Sequence, residues 1–430
     1  MKFHPEGNMH RIKSFITLLP ILIIAVSCNG SSVIIPDSQF AKLMARANYI
    51  LSEPPEFAWD PQIAVDPVSG EVFVCWNKNV GGIQEIMWRH GKDGNFSTES
   101  VISDTDGNQS YNPTLTAGAD GRVHFARMDR KDDNNQKEIW IKSYKDGAWE
   151  KDRILSLYDG WTGWDPVVET FPDGRPLVSW FDHRYGIQHE IIVRYEETPG
   201  GEYEPDVRMT NDTWYEFAAD IDSGPGNVIH CTFEDSREQN WKPIDGDQRI
   251  PGKNLEVYYK SWSDGEFGPE VRITNSEFRS LAPQIAVDVN GRVHLIWADE
   301  TDDGYFRLYY CWVENNIPSD TFQITPPDVQ ADLCAIETLG DRVFIAYDYY
   351  ISTDAELTDS ANIDLVEVLK NGELGQPITI ARGGCNVHVR MASDPIRNDL
   401  WMIWNEFVPV GGELGENGSR IWATGVHVDM

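Results

Sequence analysis

The sequence predicts an all-β fold, a ring of seven four-stranded antiparallel blades forming a β-propeller, and three observations predict it. First, a phrase recurs: PQIAVDVNGRVHLIWADE from Pro283 is matched by PQIAVDPVSGEVFVCWNKN from Pro61, and more loosely by PTLTAGADGRVHFARMDR from Pro113 and PVVETFPDGRPLVSWFDHR from Pro166. Second, the copies keep register. Fourteen residues carry Pro283 to Trp297, Pro166 to Trp180 and Pro113 to Arg127, and degenerate copies run from Ala219 to Phe233, Leu333 to Tyr347 and Arg390 to Trp404. Pro61 reaches Trp76 one residue later because its turn, PVSG, is longer. Third, two further apolar runs follow each phrase, so the whole unit returns every 50 to 64 residues, the period of a four-stranded blade.

Inside each unit the first two runs flank a tight turn, Asp120-Gly121, Asp173-Gly174 or Asn290-Gly291. These pairs accept the positive φ that a two-residue hairpin requires. A third run follows, EIMW from Glu85, EIWIKSY from Glu138 or LEVYYKSW from Leu255, and then a second turn such as KDGNF, KDGAW or SDGEF. The fourth run closes the unit, as in ESVIS, DRILS and EVRIT. The seventh unit stops after three strands, at IWATGVHV, which would leave an open edge. Residues around Ala47 to Leu51, spaced from Pro61 as other fourth strands are from their next unit, are expected to pair with the strand near Val426 and close the ring.

The first residues stand apart from the fold. MHRIKSFITLLPILIIAVSC carries Arg11 and Lys13, then an apolar run from Phe15 to Val26, too short to span a bilayer comfortably and built like a secretory signal. The small residue before Cys28 resembles the lipobox of bacterial lipoproteins, which implies lipidation at Cys28 and anchoring in the bacterial cell envelope. The expected organisation is a signal at 1–28, a linker at 29–45 and the propeller at 46–430. Asp and Glu outnumber Lys and Arg 69 to 36, and the net charge of −33 disfavours nucleic acid as a partner. The five remaining cysteines are an odd number and do not make a disulfide framework, with Cys334 and Cys385 the pair that the blade scheme brings near each other. A monomer is expected.

In a propeller, the loops entering each first strand and those leaving each second strand open on one face, around the central channel. Two residues before the repeat anchor the chain places Trp59, Tyr111, Trp164, Phe217 and His388; after the second strand it places Asn77, Asp129, Asp182, Glu234 with Asp235, Asp299, Asp348 and Glu406. Aromatic platforms beside carboxylates suit a carbohydrate, whose ring faces stack while its hydroxyls need acceptors. Blade-to-blade packing and turn capping use the same residue types. Two arginines break their own repeat: Arg127 fills the aromatic slot and Arg390 the anchor slot. Each should pair with an acid, as Arg127 could with Asp129 or Asp182, or point at a ligand carboxylate. Phe181-Asp182-His183-Arg184-Tyr185 offers a base, an acid and a carboxylate-neutralising group for β-elimination on a uronic acid polymer, although such a cluster in a loop is more often a hydrogen-bonded turn. No metal pattern is present, and no cofactor is expected, although the acidic surface is compatible with structural calcium.

The consensus P-x-I-A-V-D, D-G-R-V-H, W-x-D, E-I-Y-Y, D-G-x-W resembles that of the sialidase-like propellers with degenerate BNR repeats, from about Ala47 to the end of the chain. Two signatures depart from that family. Its Asp-box survives only in fragments such as Ser263-Asp264-Gly265, and no Arg-Ile-Pro opens the first blade. The resemblance implies an arginine triad for a substrate carboxylate, formed by Arg127 and Arg390 with Arg184 or Arg237. It also implies a tyrosine nucleophile, Tyr347 or Tyr349, activated by Glu406, with Asp129 or Asp182 as the acid. Three readings remain: a propeller that binds and cleaves acidic glycans, a uronate lyase, and a non-catalytic scaffold for a glycan or protein.

Overall fold

The computed structural model describes residues 41–131, 136–157, 160–186, 188–237, 255–331, 333–351, 361–369, 371–408 and 418–429. Cys28 and the signal region lie outside the described residues. The alternation and turns read from the sequence do form blades. In blade 1, Ala58–Val65 lines the channel, Val72–Val80 and Ile83–Lys92 follow outwards, and Asn95–Phe96 and Ser100–Val101 share the outer edge. Six more sheets repeat this plan, with inner strands Ser110–Ala117, Trp164–Thr170, Glu216–Gly224, Ser280–Val287, Cys334–Leu339 and Cys385–Asp394.

The last blade is closed by the N-terminal segment, which removes the open edge. Tyr49–Ser52 pairs with Ile421–Ala423, as expected of the Ala47 to Leu51 region, but the strand at Val426 takes a second segment, Lys42–Ala45. The ring therefore includes residues that the sequence reading assigns to a linker. Among the described residues no helix is long and apolar enough to cross a membrane.

Apolar layers between neighbouring blades hold the ring together. Trp76, Trp180, Trp297 and Trp404, the repeat's aromatic position, are fully buried in these layers. Each removes about 150–250 Å² of aromatic surface from water.

Six inner strands carry a bulge at one position, where the register shifts. At it Asp60, Asn112, Asp165, Ala218, Ala282 and His388 have positive φ between 42° and 58°. Asp and Asn tolerate this region, whereas Ala must be held there by its surroundings. The second-strand residue that follows the repeat's aromatic slot, filled by Arg127 in blade 2, supplies that hold from the preceding blade. Glu234 Oε1 accepts from the Ala282 N–H at 2.7 Å, Asp348 Oδ2 from His388 N–H at 2.7 Å, and the Met128 sulfur from Asp165 N–H at 3.4 Å.

The bulges also correct the register of blade 7. Arg390 pairs with Ile403 as Gln62 pairs with Cys75 and Gln284 with Ile296, so Val389 is the residue equivalent to Pro61. Blade 7, like blade 1, has a hairpin turn one residue longer than that of blade 5. Arg390 therefore breaks no anchor slot; it stands at a channel-lining position.

Candidate functional site

The channel is lined by alternate residues of the inner strands, because successive strand residues point to opposite sides. Its upper part is a cavity of about 430 Å³ whose walls include Asp60, Asn112, Asp165, Asp220 and Arg390. A second cavity of about 330 Å³ opens toward the hairpin turns. Glu169, Asp222 and Glu337 line both cavities, so they mark the boundary between them. Burial raises all three carboxyls, and neighbouring acids add to it: Asp222, with Asp220 beside it, is pushed up to about 7, Glu337, with Asp222 beside it, to about 8, and Glu169, facing Asp222, Asp220 and Glu337, well above its usual range. Asp220, raised by burial to about 6, is partly relieved by hydrogen bonds from backbone N–H groups and by the charge of Arg390. None of these acids was singled out in the sequence. The available signal was a charged residue inside an apolar strand, as in VVET, AADIDS and CAIETL.

The carboxylates selected from the sequence serve the blades instead. Asp182 and Asp299 accept the indole N–H of their own blade's buried tryptophan, from Trp180 at 3.1 Å and Trp297 at 3.0 Å. Glu406 accepts from Trp422 at 2.9 Å and from Arg420 at 3.3 Å. Glu234 and Asp348 hold bulges, as described above. Tyr347 is buried in the layer between blades 5 and 6, and Tyr349 interacts with Asp364 and Arg382. Neither tyrosine is hydrogen-bonded to Glu406, so the structure does not bring together the nucleophile pair implied by the sialidase resemblance.

The arginines divide sharply. Arg127 is fully buried; its Nε donates to Asp129 at 2.7 Å, its two terminal nitrogens to Asp152 at 2.9 and 3.1 Å, and Asp104 lies 3.5 Å away. Arg184 is held by Asp182 and Asp206, and Arg237 by Asp235, Asp212 and Glu270. These three do not converge on a ligand pocket. Arg390 does face the cavity; its Nη1 donates to Val389 O at 3.2 Å, and it has no ion pair among the described residues. Asp212, Glu216 and Asp235 have oxygens within 4.8 Å of one another, as a metal would need, but Arg237 already supplies positive charge to two of them.

The rim over blades 2 to 4 gathers the predicted aromatics and the histidines. Trp164 and Tyr111 both face Lys137, whose Nζ lies 4.6 Å and 4.2 Å from their ring centroids. Arg130 lies over the same Tyr111 ring at 5.9 Å. On the next blade His183 Nε2 and His189 Nε2 are 2.7 Å apart. His189 is buried among Phe181, Tyr215 and Phe217, and burial, then the charge of His183, pulls its pKa down to about 3. Trp161, 45% exposed, packs on His183, and Tyr185, 46% exposed, packs on Arg208. Burial raises the Tyr185 phenol, which therefore stays protonated near neutral pH. On the other side of the mouth, Trp59 joins Phe57 and Phe407 in an aromatic stack.

No protein-family model and no curated protein matches the chain. Solved structures do. An ulvan lyase of polysaccharide lyase family PL25, "bound to -[GlcA(1-4)Rha3S]-", is similar over 85% of this chain and 95% of its own, with a TM-score of 0.57 and 12% identity. A protein of unknown function from Dyadobacter fermentans is similar over 90% of this chain and 99% of its own, with a TM-score of 0.52 and 11% identity. An α-L-arabinanase of Penicillium chrysogenum complexed with arabinobiose covers 73% of this chain and 92% of its own, with a TM-score of 0.48 and 14% identity. At these identities the likeness is one of fold.

Proposed function

We propose that the protein is an exported, envelope-anchored propeller that binds a polysaccharide across the channel mouth over blades 2 to 4. The observation that carries this reading is the pair of half-exposed aromatics, Trp161 and Tyr185, beside the His183–His189 pair. A sugar chain needs apolar faces to stack on and polar groups for its hydroxyls, and this rim offers both next to a cavity rich in carboxylate acceptors. The fold shared with the ulvan lyase, whose structure holds a -[GlcA(1-4)Rha3S]- glycan, supports the same reading.

A second reading, β-elimination at a uronate, is favoured by the histidine pair. In that reaction a base removes the proton on the carbon next to the carboxylate, and the bond to the leaving oxygen breaks. The electron pair becomes a carbon–carbon double bond, and an acid returns a proton to the oxygen. His183, steadied by a neutral His189, suits the base, and the protonated phenol of Tyr185 suits the acid. Arg184 is less suited to the carboxylate, because Asp182 and Asp206 already hold it. Hydrolysis through a tyrosine has less support, since Tyr347 and Tyr349 lack the activating Glu406.

The test is a binding panel of neutral and acidic polysaccharides, with Trp161→Ala alongside and the products examined. Binding weakened about tenfold by Trp161→Ala supports the site, in keeping with the loss of one stacking contact. A product absorbing as an unsaturated uronate, absent with His183→Ala, supports elimination, and new reducing ends without that absorbance point to hydrolysis. If well-folded protein binds no polysaccharide, the reading fails.

A further inference from the structure

In a chain with a net charge of −33, cations are expected to be claimed by acids, and on this rim most are. Arg130 and Lys137 are not. Among the described residues neither has a carboxylate within 4.0 Å, and the Nε of Arg130 is buried without a hydrogen-bond partner. Lys137 is held between two ring faces, Tyr111 and Trp164, which attract its charge but supply no oxygen acceptor for its N–H groups. Burial first, and the charge of Arg130 second, lower the Lys137 pKa, and Asp165 opposes them only through space. The Asp165 carboxylate is itself engaged by the Asn112 amide. Two like charges thus share the Tyr111 ring with no carboxylate in ion-pair reach among the described residues, an arrangement that an external anion would relieve.

The channel decides where such an anion can sit. Its walls carry Asp60, Asp165, Asp220 and the Glu169–Asp222–Glu337 boundary, with Arg390 as the cation among its lining residues. Inside the channel an anionic group meets a single lining cation, Arg390, set among these acids, whereas at the rim Arg130 and Lys137 stand side by side. A guanidinium fork beside an ammonium matches the oxygens of a carboxylate or a sulfate.

We infer that Arg130 and Lys137, set on the Tyr111 and Trp164 rings, form an anion subsite that receives the carboxylate or sulfate of an acidic sugar. The inference rests on the glycan-binding reading for its biological ligand, and it names the class of glycan: an acidic one, read from blade 2 rather than by Arg127, Arg184 or Arg237.

The test is calorimetric titration of the whole protein with sodium glucuronate, glucose 6-sulfate, glucose and inorganic sulfate, at constant ionic strength. The expected result is that at least one charged sugar binds about tenfold or more tightly than glucose. Lys137→Met and Arg130→Gln should each abolish that preference, while Lys137→Arg keeps part of it. Near-ultraviolet circular dichroism confirms that the variants are folded, and a rise in wild-type melting temperature with sulfate that Lys137→Met removes is a second, independent readout. Charged sugars that bind no better than glucose together with no Lys137-dependent binding of sulfate, or a preference that survives Lys137→Met and Arg130→Gln, would overturn the inference. Sugar binding that depends on Trp161 without any anion preference would leave the glycan reading standing alone. Lys137-dependent binding of sulfate with no sugar bound would sink the glycan reading and keep the anion subsite.

Discussion

In blade 2 the carboxylates of Asp104, Asp129 and Asp152 surround one fully buried guanidinium, that of Arg127, whereas in the channel Glu169, Asp222 and Glu337 sense one another's charge at the boundary between two cavities. Both regions bury acids, and the outcomes differ. Burial pushes Asp152 upward, but the hydrogen bonds and charge of Arg127 outweigh it and hold the carboxyl below its usual range. The channel acids have backbone N–H groups and hydroxyls as partners, and no cation within ion-pair distance, so burial prevails and their pKa values rise. A guanidinium in the same blade can thus outweigh burial, as at Asp152, although burial still raises Asp129 beside the same Arg127, and acids without such a partner, in the channel or at Asp299, hold their protons more tightly. The rim shows the converse, two cations, Arg130 and Lys137, with no acid in ion-pair reach among the described residues.

The largest expected effect comes from breaking the compensated side. Arg127→Met leaves Asp129 and Asp152 buried with only Lys131 and Lys142 near the latter, and should cost about 3–5 kcal/mol of stability in chemical denaturation. A loss under about 1 kcal/mol would mean that the acids simply take up protons and that the contrast with the channel is weaker than drawn.

The channel side predicts a pH dependence of intermediate size. Glu337 holds its proton more tightly when folded, at about 8, than at its ordinary 4.5. Its contribution to stability is therefore full below about pH 4.5 and is lost as the pH rises through about 8. Glu337→Gln should flatten the decline between these limits, gaining on the order of 1–3 kcal/mol over wild type at the alkaline end. Denaturation midpoints at pH 5 and pH 8 measure it, and parallel profiles for the two proteins would show that Glu337 does not titrate as assigned.

The smallest effect sharpens the comparison further. Arg390→Gln removes the cation lining the upper cavity, so the Asp220 carboxyl should titrate somewhat above its present value of about 6, with stability changed by no more than about 0.5 kcal/mol. Carboxyl-carbon NMR reads the shift. An unmoved Asp220 would mean that solvent in the cavity screens the two charges from each other.

Much of the architecture was legible because its determinants are local. The Pro-to-Trp spacing, the Asp-Gly and Asn-Gly turns and the alternation of apolar residues each act over a few neighbours, and they specify blades, their number and the need for a closing N-terminal strand. Where a turn changed length the reading slipped: the turn of blade 7, DPIRN, is one residue longer than that of blade 5, and the slip by one residue turned the channel residue Arg390 into a false anchor. The site was legible in its aromatics, Tyr111 and Trp164, and in His183 and Tyr185, but not in the roles of its charges.

Those roles belong to tertiary structure for a physical reason. Whether Arg127 recognises a ligand or pairs with Asp152 depends on distances between residues remote in sequence, and so does the difference between Asp182, bonded to its own tryptophan, and Glu337, facing Asp222 from another blade. Hydrogen-bond patterns of a few residues wrote the ring into the sequence by themselves. Long-range electrostatics and burial, which exist only once seven blades enclose a channel, decided which charges are scaffold and which are left to meet a ligand.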